Sequence, residues 1–134
     1  MSIVFKENLI TGIKEIDDQH KELFNNIDIL FDKCQQGKCH EEIEKIMHYL
    51  NYYLEEHFKT EETYMKKFNY PDYASHVADH QQFIMIYQTI KKYNEEHGIT
   101  SFLIIQINKL LKNWLLTHLK NEDKKLAVFL KEKT

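Results

Sequence analysis

Residues 43–64 read IEKIMHYLNYYLEEHFKTEETY. At 100° per residue, Ile43, Ile46, Leu50, Tyr53, His57, Glu61 and Tyr64 share one angular sector, and the opposite side is charged or amide-rich. This is the period of an amphipathic helix, and its inward face carries an imidazole and a carboxylate among apolar side chains. Three more segments repeat the pattern. The first aligns Ile16, His20, Phe24, Ile27 and Phe31; the third Tyr73, His76, His80, Phe83, Tyr87 and Ile90; the fourth Ile104, Ile107, Leu111, Trp114, Leu115 and His118.

The breaks between segments are equally legible. Gly37 and its neighbours end the first helix, Asn69-Tyr70-Pro71-Asp72 separates the second from the third, and His97-Gly98-Ile99-Thr100-Ser101 separates the third from the fourth. Short connections between long helices make consecutive helices antiparallel, so the expectation is an all-α, up-down-up-down four-helix bundle. Residues before about 15 are expected to form a loop arm, and Asp123 to about Leu130 a short C-terminal helix packed on the bundle. With 134 residues, 3 Gly and a single proline, the chain suits one domain, residues 1–134, of long uninterrupted helices. A chain of this length hides roughly two thirds of its unfolded surface, enough for a real core.

Several function classes are disfavoured. Net charge is -3, and lysines are interleaved with glutamates instead of forming the basic face that nucleic-acid binding requires. The N-terminal stretch lacks a basic start followed by an apolar run, and no later stretch approaches the roughly 18 apolar residues of a membrane span, so a soluble, cytoplasmic protein is expected. Two cysteines, Cys34 and Cys39, bracket Gln-Gln-Gly-Lys. Lacking further Cys or His at zinc-finger spacing, and in a reducing compartment, they are expected to be free turn-region thiols.

The inward histidines share a depth as well as a face. His20 lies about 24 Å below the first turn and His57 about 25 Å below it on the way back; the third helix climbs about 28 Å from its histidine pair, and the fourth descends about 25 Å to His118. A lone histidine on an apolar face is usually a hydrogen-bonded core residue. Five imidazoles and two carboxylates at one depth are different, because each left unpaired costs about 1–3 kcal/mol. Metal ions satisfy them together. His40, His48 and His97 lie off the inward stripes and are assigned to solvent.

His57/Glu61 and His76/His80 are i, i+4 pairs, each placing two donors one above the other. His118 and Asp123 are five apart, so the helix must unwind near Asn121 for Asp123 to reach inward; Glu122, at i+4, competes for the role. Seven donors exceed one tetrahedral zinc, and imidazoles with two carboxylates suit first-row metals of five or six ligands, iron above all. The ferritin-like di-iron class uses Glu-x-x-His, which occurs nowhere in this chain.

From about Phe5 to about Leu130 the chain resembles a hemerythrin-family domain, closest to the single-domain bacteriohemerythrins. The matching residues are Gly12, Ile16-Asp17-Asp18-Gln19-His20 with Leu23-Phe24, His57-Phe58 with Glu61-Glu62, His76 and His80 with Phe83, and Asn113-Trp114-Leu115-Leu116-Thr117-His118 leading to Asp123. Myohemerythrin, from the same family, is itself a standard example of the four-helix bundle. The resemblance implies one iron on His76, His80 and His118 and a second on His20 and His57. Glu61, Asp123 and an oxo or hydroxo group would bridge them, with an open position for dioxygen on the two-histidine iron. It also implies a dioxygen pocket walled by Trp114, Leu115 and Leu119, with Phe24 and Phe58 nearby. One departure is visible: Phe5 stands where family members usually carry a tryptophan in the N-terminal arm.

The expected function is therefore reversible dioxygen binding for carriage, storage or delivery, by a protein that is not an enzyme. NO or small anions would compete at the open iron, and no protein partner is identified. The alternatives are a di-iron oxidase, peroxidase or NO-handling enzyme, or an oxygen or iron sensor acting through a separate partner. An enzyme would need a proton donor beside the open iron, and the inward stripes offer only the seven assigned residues and Tyr53, Tyr64 and Tyr87.

Overall fold

The computed structural model describes residues 10–133, and within them the chain is all-α with no strand. Helix α1 spans Lys14–Gln35, α2 Cys39–Lys67 and α3 Tyr73–His97. The fourth helical run, residues 101–133, consists of α4 (Ser101–Lys109), a π-helical segment (Leu110–Leu115), α5 (Leu116–His118), a second π-helical segment (Leu119–Asp123) and α6 (Lys124–Lys133). The expected arm is non-helical over residues 10–13. Phe5 lies outside the described residues.

The breaks fall where the sequence puts them. Gly37 and Gly98 adopt φ of 78° and 74°, a region that other L-residues avoid, and so let the chain turn back within a few residues. Thr100 caps α4 by accepting the backbone N–H of Leu103 at 3.1 Å. Pro71 sits in the α2–α3 turn, where a missing N–H breaks no helix ladder.

Two expectations are corrected. The segment after Asp123 is not a separate helix: backbone dihedrals stay right-handed through Lys109, Leu115, His118 and Lys124, so α4 to α6 form one run. Cys34 and Cys39 are not free thiols but joined in a disulfide. The tight turn at residues 36–38 brings the last turn of α1 over the start of α2, with the two Cα atoms 4.0 Å apart, so the chain's only two cysteines are each other's partners.

Burial follows the predicted stripes on the first three helices, from Ile16 to Phe31, from Ile43 to Glu61 and from His76 to Ile90. On the fourth, Leu103 replaces Ile104 on the buried face and Leu110, Leu116 and Leu119 join it, because the π-helical segments shift the helix phase. The apolar side chains form two clusters. The larger takes Leu23–Phe31, Ile43–Phe58, Phe83–Ile90 and Leu103–Leu119; the smaller takes Ile13, Ile16, Met65, Tyr70, Leu126 and Leu130. The predicted polar residues fall where the chain passes from one cluster to the other: His20 between Ile16 and Leu23, Glu61 between Phe58 and Met65, His80 between the half-buried Val77 and Phe83, and Asp123 between Leu119 and Leu126. Among the described residues no helix is long and apolar enough to cross a membrane.

The α1 entrance is tied down by a buried carboxylate. Asp17 accepts from the Thr11 N–H at 2.8 Å, the Thr11 hydroxyl at 2.9 Å and the Gly12 N–H at 3.3 Å, three residues before His20. Asp17→Ala is therefore expected to lower unfolding free energy by about 2–3 kcal/mol, as charge-assisted hydrogen bonds to buried donors do. The neighbouring exposed Asp18→Ala should change it little; urea unfolding of both variants is the check, and equal effects would contradict the anchoring role.

Candidate metal centre

Each helix delivers polar side chains to the level between the two apolar clusters: His20 from α1, His57 and Glu61 from α2, His76 and His80 from α3, His118 and Asp123 from the fourth run. All seven are buried, none more than 3% exposed. The i, i+4 pairs on α2 and α3 stack as ordinary helix geometry dictates. Asp123 gets there by a different route from the expected unwinding. The helix widens instead: residues 119–123 take i→i+5 hydrogen bonds, so two residues five apart come to lie one turn above each other. Glu122, the competing candidate, belongs to neither donor group and stays partly exposed.

The donor atoms form two groups, each with all members within 4.8 Å of one another: Glu61, His76, His80, His118 and Asp123 in one, His20, His57, Glu61 and Asp123 in the other. Both carboxylates belong to both groups and divide their oxygens between them. Glu61 Oε1 lies 3.4 Å from His76 Nε2 and 3.1 Å from His80 Nε2, and its Oε2 lies 3.3 Å from His20 Nε2 and 3.2 Å from His57 Nε2. Asp123 Oδ1 lies 3.2 Å from both His76 Nε2 and His118 Nε2, and Oδ2 lies 3.3 Å from His20 Nε2.

These spacings test whether a metal fits. At metal–ligand lengths of roughly 2.1 Å, donors at right angles lie roughly 3 Å apart and tetrahedral donors roughly 3.4 Å apart, which brackets the observed distances. Despite their closeness, Nε2 of His76, His80 and His118 and all four carboxylate oxygens lack a hydrogen bond of acceptable geometry. Their lone pairs converge on shared points instead of on one another. Left so, each would cost about 1–3 kcal/mol; a cation at each point satisfies them all.

Electrostatics argue the same way. Burial disfavours the charged form of His20 and His76, but Asp123 and Glu61 outweigh it and lift both to about 10. Burial likewise opposes charge on His118, and Asp123 raises it. Burial pushes Glu61 and Asp123 upward, yet the surrounding imidazoles hold both carboxyls well below their usual range. His57 is lowered, by burial first and the His20 charge in addition, against the pull of Glu61. The two carboxylates stay ionised only because positive charge is beside them, a role that suits bound cations.

The outer imidazole nitrogens expose residues that sequence reasoning missed. His57 Nδ1 donates to Gln19 Oε1 at 2.9 Å, His80 Nδ1 to Glu62 Oε2 at 3.0 Å, and His118 Nδ1 to Asp79 Oδ2 at 3.0 Å. An acceptor on Nδ1 fixes the proton there and turns the Nε2 lone pair inward. Each of the three partners adjoins an inward residue in the chain, Gln19 beside His20, Glu62 beside Glu61 and Asp79 beside His80. Their bonds to His57, His80 and His118 cross to a neighbouring helix, so single-helix spacing could not reveal them.

Aromatic rings clamp the same imidazoles. Phe58 stacks on His80 at 3.9 Å, Tyr53 on His57 at 4.7 Å and Trp114 on His118 at 4.9 Å between ring centroids. Of the predicted pocket wall, Leu115, Leu119, Phe24 and Phe58 are buried and belong with Trp114, which is half-buried, to the larger apolar cluster. His40, His48 and His97 are exposed, as expected.

Comparison with known proteins gives this arrangement a lineage. Residues 11–130 match the family model described as "Hemerythrin HHE cation binding domain". The chain is 33% identical over 121 residues to a bacteriohemerythrin of Pseudomonas paraeruginosa, covering 90% of this chain and 76% of that one. It is 32% identical over 114 residues to a bacteriohemerythrin of Methylococcus capsulatus, with 85% of each chain covered. It is 32% identical over 110 residues to a myohemerythrin of Theromyzon tessulatum, covering 82% and 78% respectively. No solved structure matches significantly.

Removing an outer acceptor frees its imidazole to rotate. Asp79→Ala and Glu62→Ala should each weaken binding of a divalent first-row cation by roughly 10–100-fold. Competition against a chelator of known affinity reads this directly, and affinities equal to the parent's would reduce these carboxylates to packing.

Proposed function

Because the chain belongs to the hemerythrin family, whose members bind dioxygen at a di-iron site, we propose that it binds dioxygen reversibly at two irons held by the seven buried residues. His76, His80 and His118 hold one iron, His20 and His57 the other, and Glu61 and Asp123 span both. The observation that carries this reading is the inequality of the two donor groups, five residues against four, with one oxygen of each carboxylate aimed at each group. Iron takes up to six ligands, so the His20–His57 side has the room for a small molecule.

When bound, the irons supply the electrons that dioxygen accepts. The chain's own part is to hold, orient and exclude. Gln19, Glu62 and Asp79 keep the imidazole lone pairs inward. Phe24, Phe58, Trp114, Leu115 and Leu119 wall the site with apolar surface, keeping water and external protons from the bound gas. NO and small anions would enter the same place. Carriage, storage or delivery needs no further substrate cavity, so the reading is of a binding protein and not an enzyme.

We also read residues 1–134 as one domain with an up-down-up-down order. Cross-helix pairs support it. Gln19 meets Thr60 and His20 meets His57; Glu62 meets His80 and Met47 meets Tyr87; Asp79 meets His118, Gln82 meets Trp114 and Tyr93 meets Thr100. In each helix pair, residue numbers fall on one helix as they rise on the other, as antiparallel neighbours require.

The visible spectrum of the reduced, iron-loaded protein tests the reading. A charge-transfer band should appear as air is admitted and vanish as it is removed; irreversible bleaching with peroxide release would instead mark oxidase chemistry. His118→Ala should lose much of the bound iron, whereas His48→Ala, on the exposed side of α2, should keep it. Equal losses in the two variants would overturn the ligand assignment.

A further inference from the structure

Two fully buried tyrosines of the larger apolar cluster differ in one respect. The Tyr87 hydroxyl donates to the Met47 carbonyl oxygen at 2.8 Å. The Tyr53 hydroxyl has no hydrogen-bond partner among the described residues, although the residue is 1% exposed. A phenol enclosed in hydrocarbon ordinarily finds an acceptor, and leaving it without one is unfavourable enough that phenylalanine would serve better as packing. The hydroxyl therefore needs another explanation.

Its position supplies one. Tyr53 is one helical turn before His57, and its ring lies nearly parallel to that imidazole, 4.7 Å away with a 16° tilt. Leu23, Phe24, Leu115 and Leu119 share its apolar cluster, so it stands on the same side of the polar layer as the proposed dioxygen wall. The other buried hydroxyl without a partner among the described residues, Tyr70, belongs to the smaller cluster and meets His76 edge-on. Tyr53 is thus the unpartnered donor on the His20–His57 side, within a wall otherwise made of hydrocarbon.

We propose that the Tyr53 hydroxyl is a ligand-orienting hydrogen-bond donor, serving a small molecule that carries negative charge on the His20–His57 side of the centre. This rests on the di-iron reading above. The chemistry it recognises is an acceptor with exposed lone pairs and electron density drawn from the metal, which describes bound dioxygen and small anions such as azide, and not a neutral apolar gas. A single donor in a dry pocket fixes the ligand's direction and lengthens its residence without admitting water.

The test uses the full chain, iron-loaded and oxidised, with azide as the probe, in the parent, Tyr53→Phe and Tyr87→Phe. Both variants keep their rings and lose one hydroxyl. Tyr53→Phe should retain the parent's iron content and weaken azide binding by roughly tenfold, the worth of one charge-assisted hydrogen bond. The azide stretching band should shift in D2O for the parent and lose that shift in Tyr53→Phe. In urea unfolding, with and without iron, Tyr53→Phe should match or exceed the parent's midpoint, whereas Tyr87→Phe should fall below it while binding azide normally. Azide affinity within about twofold of the parent's, or a midpoint lowered as in Tyr87→Phe, would overturn the proposal by making the hydroxyl structural. A parent chain that takes up no iron would overturn the di-iron reading itself, and the two failures are distinguishable because the first occurs with iron in place.

Discussion

Burying two carboxylates and five imidazoles at one depth of a helical protein is an electrostatic debt that no single helix can settle. Glu61 and Asp123 are held ionised in an environment that disfavours charge, and the Nε2 atoms of His76, His80 and His118 face inward beside them without forming proper hydrogen bonds. The apolar clusters on either side keep water from relieving the strain. Only groups placed at the two shared points satisfy every donor at once, and the rest of the architecture serves to keep those donors aimed there.

That aim depends on register. Helix α1 brings one residue, His20, and α2 and α3 bring pairs at ordinary i, i+4 spacing, but the fourth must bring in residues five apart, His118 and Asp123. A π-helical segment solves this without breaking the rod, letting the chain continue through α6 and close the smaller apolar cluster with Leu126 and Leu130. The earlier π-helical segment, Leu110–Leu115, shifts the phase between residues 103–107 and His118, which is why burial on the fourth run falls on Leu103 instead of Ile104. Ring orientation is then set from outside, by Gln19, Glu62 and Asp79 on the Nδ1 side and by Tyr53, Phe58 and Trp114 against the ring faces.

Much of this was legible in the chain. The buried stripes of α1 to α3, the three turns, the solvent assignment of His40, His48 and His97, and the convergence of the five histidines and Glu61 follow from angle and rise alone, whereas Asp123 is preferred to Glu122 only through the family resemblance. The failures share a cause. The pairing of Cys34 with Cys39, the continuity of the last helical run and the outer acceptors each depend on what lies across a turn or on a neighbouring helix, and one-helix periodicity carries no such information.

The order of apolar and polar residues determined by itself that four amphipathic helices form and which face of each is buried, because helical period and hydrophobic burial are local and additive. What only the tertiary structure decided is how the donors meet: which carboxylate oxygen faces which histidine group, that Asp123 and not Glu122 turns inward, and which buried tyrosine hydroxyls lack a partner among the described residues. Those outcomes are set by distances between helices to within a few tenths of an ångström, and they exist only once all four are packed.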